Sequence, residues 1–205
     1  MAQSVKGADQ AFALRAEIDA PAKRAIALVT MKMLLPNQTV LMNDGTTIFA
    51  LALEMVPTDR PLTVVTAGVN IATCLSERTS ITAYLLGGRV WHLSLSTSGG
   101  FAEKMLQQFN ADMAIISVDG ISIAEGVTFS YEADAGLARL MAKKAARTVV
   151  LATTRKLQNV DRITACPLSS IQTLITDCVD RAILNHFSAE GVEVISVPIK
   201  IENEI

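Results

Sequence analysis

The sequence predicts an α/β protein with a mostly parallel sheet covered by helices on both faces. Short β-branched runs alternate with longer helical stretches along the whole chain. The strand runs are continuously apolar, a pattern that requires cover on both sides of the sheet. No low-complexity linker or fixed-period repeat divides the 205 residues. A single domain over 1–205 is therefore expected, with residues 1–14 as a linker segment.

The elements follow in order. Ala20 to Met33 reads as a helix, with Pro21 suited to the first turn and Ile26, Val29 and Met33 on one face. Thr39 to Met42 is a short strand running into Asn43-Asp44-Gly45-Thr46-Thr47 and a helix through Ala50 and Leu53. Leu62 to Val65 is a strand, followed by Thr66-Ala67-Gly68 and a helix from about Asn70 to Leu75. Ile81 to Leu86 is a strand ending at Gly87-Gly88, and Phe101 to Phe109 is an amphipathic helix. Met113 to Val118 is an apolar strand that stops at Asp119-Gly120. Tyr131 to Arg147 contains an alanine-rich helix leading into the strand Thr148 to Leu151. A strand at Leu174 to Thr176, a helix over Val179 to Phe187 and a strand at Val192 to Val197 complete the pattern.

Composition excludes several classes. Half the residues are apolar and the net charge is 18 − 20 = −2, unlike a disordered chain. The longest uncharged stretch, Pro61 to Ser76, is too short and too polar to span a bilayer. With no apolar targeting segment at the start either, a soluble cytoplasmic protein with no membrane partner is expected. No Lys/Arg cluster is dense enough for autonomous nucleic-acid binding. Cys74, Cys166 and Cys178 are widely spaced without a histidine nearby, which predicts reduced thiols and neither metal nor disulfide. His92 and His186 carry no motif, and no nucleophile elbow, phosphate loop or dinucleotide fingerprint is present.

In an open parallel sheet, ligands bind beyond the carboxyl ends of the strands. Four such ends here carry small, hydroxyl or acidic residues. Asp44-Gly45-Thr46-Thr47 can hold an anion on helix N–H groups, or Thr46 and Thr47 can simply cap the helix while Asp44 completes a turn. Thr66-Ala67-Gly68 and Gly87-Gly88 permit close ligand approach or serve as tight turns. Asp119-Gly120 offers a carboxylate for sugar hydroxyls. Lys156, five residues beyond Leu151, either neutralises a phosphate or is a solvated loop lysine, and Arg155 can act from the other side.

In their order, these motifs resemble the C-terminal sensor domain of DeoR-type transcriptional regulators. The resemblance runs from about Arg15 to Val197. It rests on Asn43-Asp44-Gly45-Thr46-Thr47, Val64-Val65-Thr66-Ala67-Gly68, Gly87-Gly88, and Gly99-Gly100-Phe101-Ala102-Glu103 with Asp112 following. Arg139-Leu140-Met141, Leu151-Ala152-Thr153-Thr154-Arg155-Lys156 and Ile175-Thr176-Asp177 complete it. It implies a fold related to ribose-5-phosphate isomerase, the glucosamine-phosphate deaminases and the CoA transferases. It also implies a pocket for a phosphorylated sugar or sugar-like effector, with no cofactor and no metal. Gly45, Thr46, Thr47 and the Thr66 turn would grip phosphate, while Asp119, Glu132 and Lys156 address sugar hydroxyls; Asn43, Asp44, Ala67, Gly68, Gly87, Gly88 and Gly120 would line the same pocket.

Such regulators contact DNA through an N-terminal winged helix-turn-helix that this chain would lack; a repressor's sensor is expected, and reading a palindromic or repeated operator would need a homodimer or homotetramer. Three positions depart from the family pattern. Asn43 replaces an aspartate, Ala67-Gly68 replaces Asn-Ser, and Thr153 replaces the aspartate before the lysine. The rival expectation is a sugar-phosphate isomerase or deaminase using Asp119 and Lys156. Thr153 removes a candidate acid from that mechanism, and the sequence shows no clear second carboxylate to replace it.

Overall fold

A computed structural model describes residues 12–57, 59–77 and 79–199. Residues 12–17 are helical, so positions 12–14 of the expected linker belong to a helix; positions 1–11 lie outside the described residues. The elements are α1 (Ala20–Met33), β1 (Thr39–Met42), α2 (Thr46–Met55), β2 (Leu62–Thr66), α3 (Val69–Ser76), β3 (Ile81–Leu85), β4 (Arg89–Trp91) and β5 (Ser96–Ser98). They continue with α4 (Gly100–Leu106), β6 (Ala111–Ser117), β7 (Gly120–Ser122), β8 (Gly126–Phe129), α5 (Glu132–Lys144), β9 (Ala145–Leu151), β10 (Ile163–Cys166), β11 (Thr173–Thr176), α6 (Arg181–Ala189) and β12 (Glu193–Ser196).

Seven strands form one sheet in the order β12-β11-β9-β6-β1-β2-β3. Every pairing within it is parallel, as the continuous apolar runs predict. Because successive side chains on a strand face opposite ways, each run feeds two cores. Val40, Met42, Val64, Ile115 and Val149 pack under α1, α2 and α3. Leu41, Val65, Ala114, Ile116 and Val150 pack under α4, α5 and α6. The sheet is therefore covered on both faces.

Helix ends follow local chemistry. Asp180 accepts from the N–H groups of Ala182 and Ile183 and starts α6. In α5, Glu132 and Asp134 occupy the first turn and Lys143 and Lys144 the last, each complementing the helix dipole. Arg139 leaves α5 to donate to the carbonyls of Ala165 (2.8 Å) and Thr164 (2.8 Å), pinning β10.

Two small sheets were not legible in the sequence. β4 and β5 form an antiparallel hairpin, and β10, β8 and β7 form an antiparallel sheet over the second core. Their strands have three or four residues and are rich in Ser, Thr and Gly, so no apolar run marks them. The helix read within 131–147 ends at Lys144, and β9 begins at the next residue.

Candidate functional site

The chain order of the strands reverses between β1 and β6. From β1 the chain proceeds to β2 and β3 on one side; from β6 it proceeds to β9, β11 and β12 on the other. Such a switch point leaves a crevice at the strands' carboxyl ends, because the two following connections diverge. Two adjoining cavities occupy it. The larger, about 540 Å³, is lined by Asn43, Asp44, Gly45, Ser117, Asp119 and Asp134, with Trp91, Phe129 and Tyr131 as an aromatic wall. The smaller, about 200 Å³, is lined by Gly45, Thr46, Thr47, Thr153, Arg155 and Lys156, with Arg15, Asp19 and Lys23 closing it. Arg15, Gly45, Ser117, Val118 and Asp119 border both.

A backbone clasp fixes the crevice. The Asn43 amide donates to the Ser117 carbonyl (2.8 Å) and accepts from the Ser117 N–H (2.9 Å). An aspartate, the usual family residue, has no N–H for that carbonyl, so the amide suits this chain's geometry. The Ser117 hydroxyl donates to the Asp44 carbonyl (2.8 Å). Gly45 follows at φ 109°, and a Cβ there would meet the Ser117 Oγ at 2.8 Å, so only glycine fits. Gly45 is also the N-cap of α2 and supplies no side-chain cap, and the first turn of α2 holds no acidic residue. The unpaired N–H groups of that turn and the positive end of its dipole face the smaller cavity. Thr46 and Thr47 thus begin the helix without either acting as its cap.

The cavities differ in charge. Asp44, Asp119 and Asp134 face the larger one. Burial pushes the Asp44 carboxyl above its ordinary range, with Asp119 adding to the shift and a Ser96 hydrogen bond opposing it. Asp134 is pushed up to about 7, first by burial and then by Asp44 and Asp119, against a smaller opposing effect of Arg15. Asp119 accepts from the Ser130 N–H (3.0 Å) and lies 3.7 Å from the Lys156 ammonium.

The smaller cavity gathers four cations. Lys23 is only 7% exposed, and its ammonium donates to the Arg15 carbonyl. Burial lowers its pKa; Asp19 opposes this, while Lys156, Arg15 and Arg155 lower it further. The turn carrying Arg155 and Lys156 is held by Asp177, which accepts from the Thr154 N–H at 2.6 Å. That contact gives Asp177 of the Ile175-Thr176-Asp177 stretch a structural role.

The structure brings together Asn43, Asp44, Gly45, Thr46, Thr47, Asp119 and Lys156. Seven other candidates lie outside the lining of both cavities. Thr66 is buried, donating to the Asn43 carbonyl (3.3 Å) and accepting from the Gly68 N–H (3.0 Å), so it braces the crevice from behind. The Ala67 carbonyl accepts from Thr97, and a Cβ on Gly68 would collide with Ile71. Gly88, at φ 140°, turns tightly against the Ser98 carbonyl, with Gly87 beside it. Gly120 packs against the Asn159 carbonyl, and Glu132 is exposed at the start of α5. Asp134, two residues on, faces the cavity instead.

Sequence reasoning missed Arg15, Lys23, Trp91, Ser117, Ser130, Tyr131 and Asp134 as lining or closing residues. One signal was available. Lys23 lies three residues before Ile26 on the apolar face of α1, where a cation needs a reason. It placed Asp44 in the pocket without counting its carboxylate as a second acid beside Asp119, and it missed Asp134; the expectation was that no clear second carboxylate replaces the acid lost at Thr153.

The fold and cavity define the class, an α/β domain with a polar crevice at a topological switch point. The DeoR C terminal sensor domain model matches residues 18–178, and the chain belongs to that family. It is 29% identical over 176 residues to the putative aga operon transcriptional repressor of Escherichia coli O157:H7, covering 85% of this chain and 65% of that protein. It is 30% identical over 173 residues to the HTH-type transcriptional regulator GolR of Listeria innocua, covering 84% and 68%. With the HTH-type transcriptional repressor GlcR of Bacillus subtilis it shares 28% over 187 residues, covering 91% and 71%. The chain thus spans about two-thirds of the length of these relatives. Among solved structures, Pyrococcus horikoshii OT3 translation initiation factor eIF-2B superposes with a TM-score of 0.54 at 14% identity, covering 76% of this chain and 62% of that one. That likeness shows a shared fold. Neisseria gonorrhoeae ribose 5 phosphate isomerase A gives a TM-score of 0.49 at 14% identity, covering 69% and 54%. No described helix is long and apolar enough to cross a membrane.

Proposed function

We propose that this sensor domain binds a phosphorylated sugar or related polyol in the joined cavities, with phosphate in the smaller and hydroxyls in the larger. The observation that carries the reading is Lys23, a nearly buried cation set among Arg15, Arg155 and Lys156 beside the uncapped start of α2. A buried cation with further cations at the edge of the same cavity is unfavourable unless an anion joins them; Lys23 is buried, while Arg15 and Arg155 are exposed and Lys156 is half-exposed. Asp44, Asp119 and Asp134 are acceptors for hydroxyl donors on the other side.

Within a full-length regulator, effector binding would alter operator occupancy by a winged helix-turn-helix carried outside these 205 residues. The relatives named as repressors support repression, and a paired or repeated operator would call for a homodimer or homotetramer. Binding regulates only if the effector prefers one arrangement of the assembly over another. The domain is read as a single unit over 1–205. A thermal-shift screen of sugar phosphates is the test. A ligand at a hundred times its Kd stabilises by about 2.7 kcal/mol, or roughly 5–10 °C for a chain of this size. Flat melting curves across the panel would refute the reading.

The three carboxylates on one cavity wall also favour a second reading, proton transfer on an aldose phosphate. Ketose formation that Asp119→Asn abolishes would establish it.

A further inference from the structure

We propose that Arg15 is a ligand-contacting residue carried on a strap, residues 12–19, that closes over the site when an anion fills the smaller cavity. The proposal rests on the anion-site reading above. Of the five residues bordering both cavities, Gly45, Ser117, Val118 and Asp119 belong to strand ends and their loops. Arg15 is the exception, lying on the helical segment 12–17 ahead of α1.

The strap is fixed at its ends and loosely held between them. At its start, the Phe12 ring packs edge-on to Phe49 of α2, with centroids 5.6 Å apart. At its end, Asp19 adopts the left-handed conformation at φ 55° and ψ 31°, so a single non-glycine residue sets the angle between the strap and α1. Between these points Leu14 and Ile18 are exposed, and the tethers are polar. The Arg15 guanidinium donates to the Leu93 carbonyl at 2.5 Å, the Lys23 ammonium donates to the Arg15 carbonyl, and Arg155 lies 3.9 Å from the Asp19 carboxylate.

The charges give the strap two positions. The smaller cavity is lined by Lys23, Arg155 and Lys156 against two carboxylates, Asp19 and Asp119, so 3 − 2 leaves an excess of one positive charge before Arg15, whose guanidinium rests on Leu93 in the larger cavity, is added. Like-charge repulsion keeps the Arg15 guanidinium away from the other three cations. Asp44 and Asp134 attract it towards the larger cavity, where it rests on Leu93. A dianion among the lysines reverses the sign of that interaction. Arg15 uses one contact of a five-donor fork on Leu93, leaving N–H groups to turn towards the anion. Lys23 and Arg155 have enough donors to hold the anion and the strap together, so the tethers tighten rather than exchange. An effector thereby draws in the segment that leads towards the chain's amino end.

Hydrogen–deuterium exchange on the 205-residue chain tests this, with saturating inorganic phosphate compared with chloride at matched ionic strength. Exchange over residues 12–19 should slow severalfold with phosphate, and Trp91 emission should shift. Arg15→Ala should raise the phosphate Kd about tenfold or more and abolish the protection. Lys156→Ala should weaken binding yet keep the protection at saturation. If wild-type chain binds phosphate with unchanged exchange at 12–19, and Arg15→Ala binds as well as wild type, the strap is overturned and the anion site stands. If wild-type chain shows no phosphate response by melting or exchange, both are overturned. Should Arg15→Ala fail to fold, the wild-type exchange result decides alone.

Discussion

Replacing Lys23 with methionine, one atom shorter, keeps most of the side chain's length and removes its charge, which separates the needs of the fold from the needs of the ligand. In the unliganded chain two effects oppose one another. The substitution leaves the Arg15 carbonyl without its donor, and it relieves a cation that burial and three like charges disfavour. Each amounts to about 1–3 kcal/mol, so unliganded stability should change by no more than about 2 kcal/mol in either direction. The ligand-bound state has no such compensation. Losing a buried charge-assisted contact of about 2.3 kcal/mol raises Kd about 50-fold. At a ligand concentration a hundred times the wild-type Kd, the stabilisation falls from about 2.7 to about 0.6 kcal/mol, and the melting shift from roughly 5–10 °C to roughly 1–3 °C. The assay is differential scanning fluorimetry with phosphate and with the sugar phosphate that shifts wild type most. A pH series adds a check on sign. Because the folded pKa of Lys23 is lowered from 10.5, the unfolded chain binds more protons in the window just below that value. Unliganded wild-type stability should therefore rise with pH there, and Lys23→Met should lack that component. Full retention of the ligand-induced shift in Lys23→Met would refute the assignment of this cavity to an anion.

Three further outcomes are expected. Asn43→Ala strands the Ser117 N–H and carbonyl and should cost about 2 kcal/mol in urea denaturation; an unchanged midpoint would show that the clasp contributes nothing. Asp134 is held near 7 against an ordinary 3.8, so the folded chain binds more protons between those values and stability falls as pH rises through that window. Asp134→Asn should flatten that part of the profile, read by denaturation at pH 5 and pH 8; a slope unchanged in the variant counts against the shared carboxylate environment. Gly45→Ala forces a Cβ into the Ser117 hydroxyl at φ 109° and should cost about 1–3 kcal/mol while shrinking the ligand-induced melting shift, and a wild-type melt with a wild-type shift would contradict the geometry.

The parallel sheet was legible because its strands are apolar on both sides, and that pattern survives in one dimension. The strand-end residues Asp44, Gly45, Thr46, Thr47, Asp119 and Lys156 were legible for the same reason, since strand ends locate the crevice once the strands are known. Thr66 and Gly68 carry a similar signature but lie at and just beyond the end of β2, one strand away from the reversal; strand order across the sheet cannot be read from chain order. Arg15, Trp91 and Asp134 reach the cavity from a helical segment, a hairpin and a helix, so only tertiary packing reveals them. Glu132 illustrates the angular limit. Two residues along a helix turn a side chain by about 200°, which separates an exposed acid from one facing the cavity.

The reversal of strand order between β1 and β6 has a mechanical consequence. The hydrogen bonds of the Asn43 clasp join residues 74 positions apart, and among the described strands β1 and β6 are the pair that joins the two halves of the sheet. A molecule seated there touches the ends of β1, β6 and β9 at once and works as a rivet through a seam. Bound ligand should thus resist separation of the halves in a pulling experiment more than it stiffens either half alone. A partly folded chain in which β6 has not docked on β1 would have no site to fill, so occupancy by the proposed effector would report that the two halves have joined.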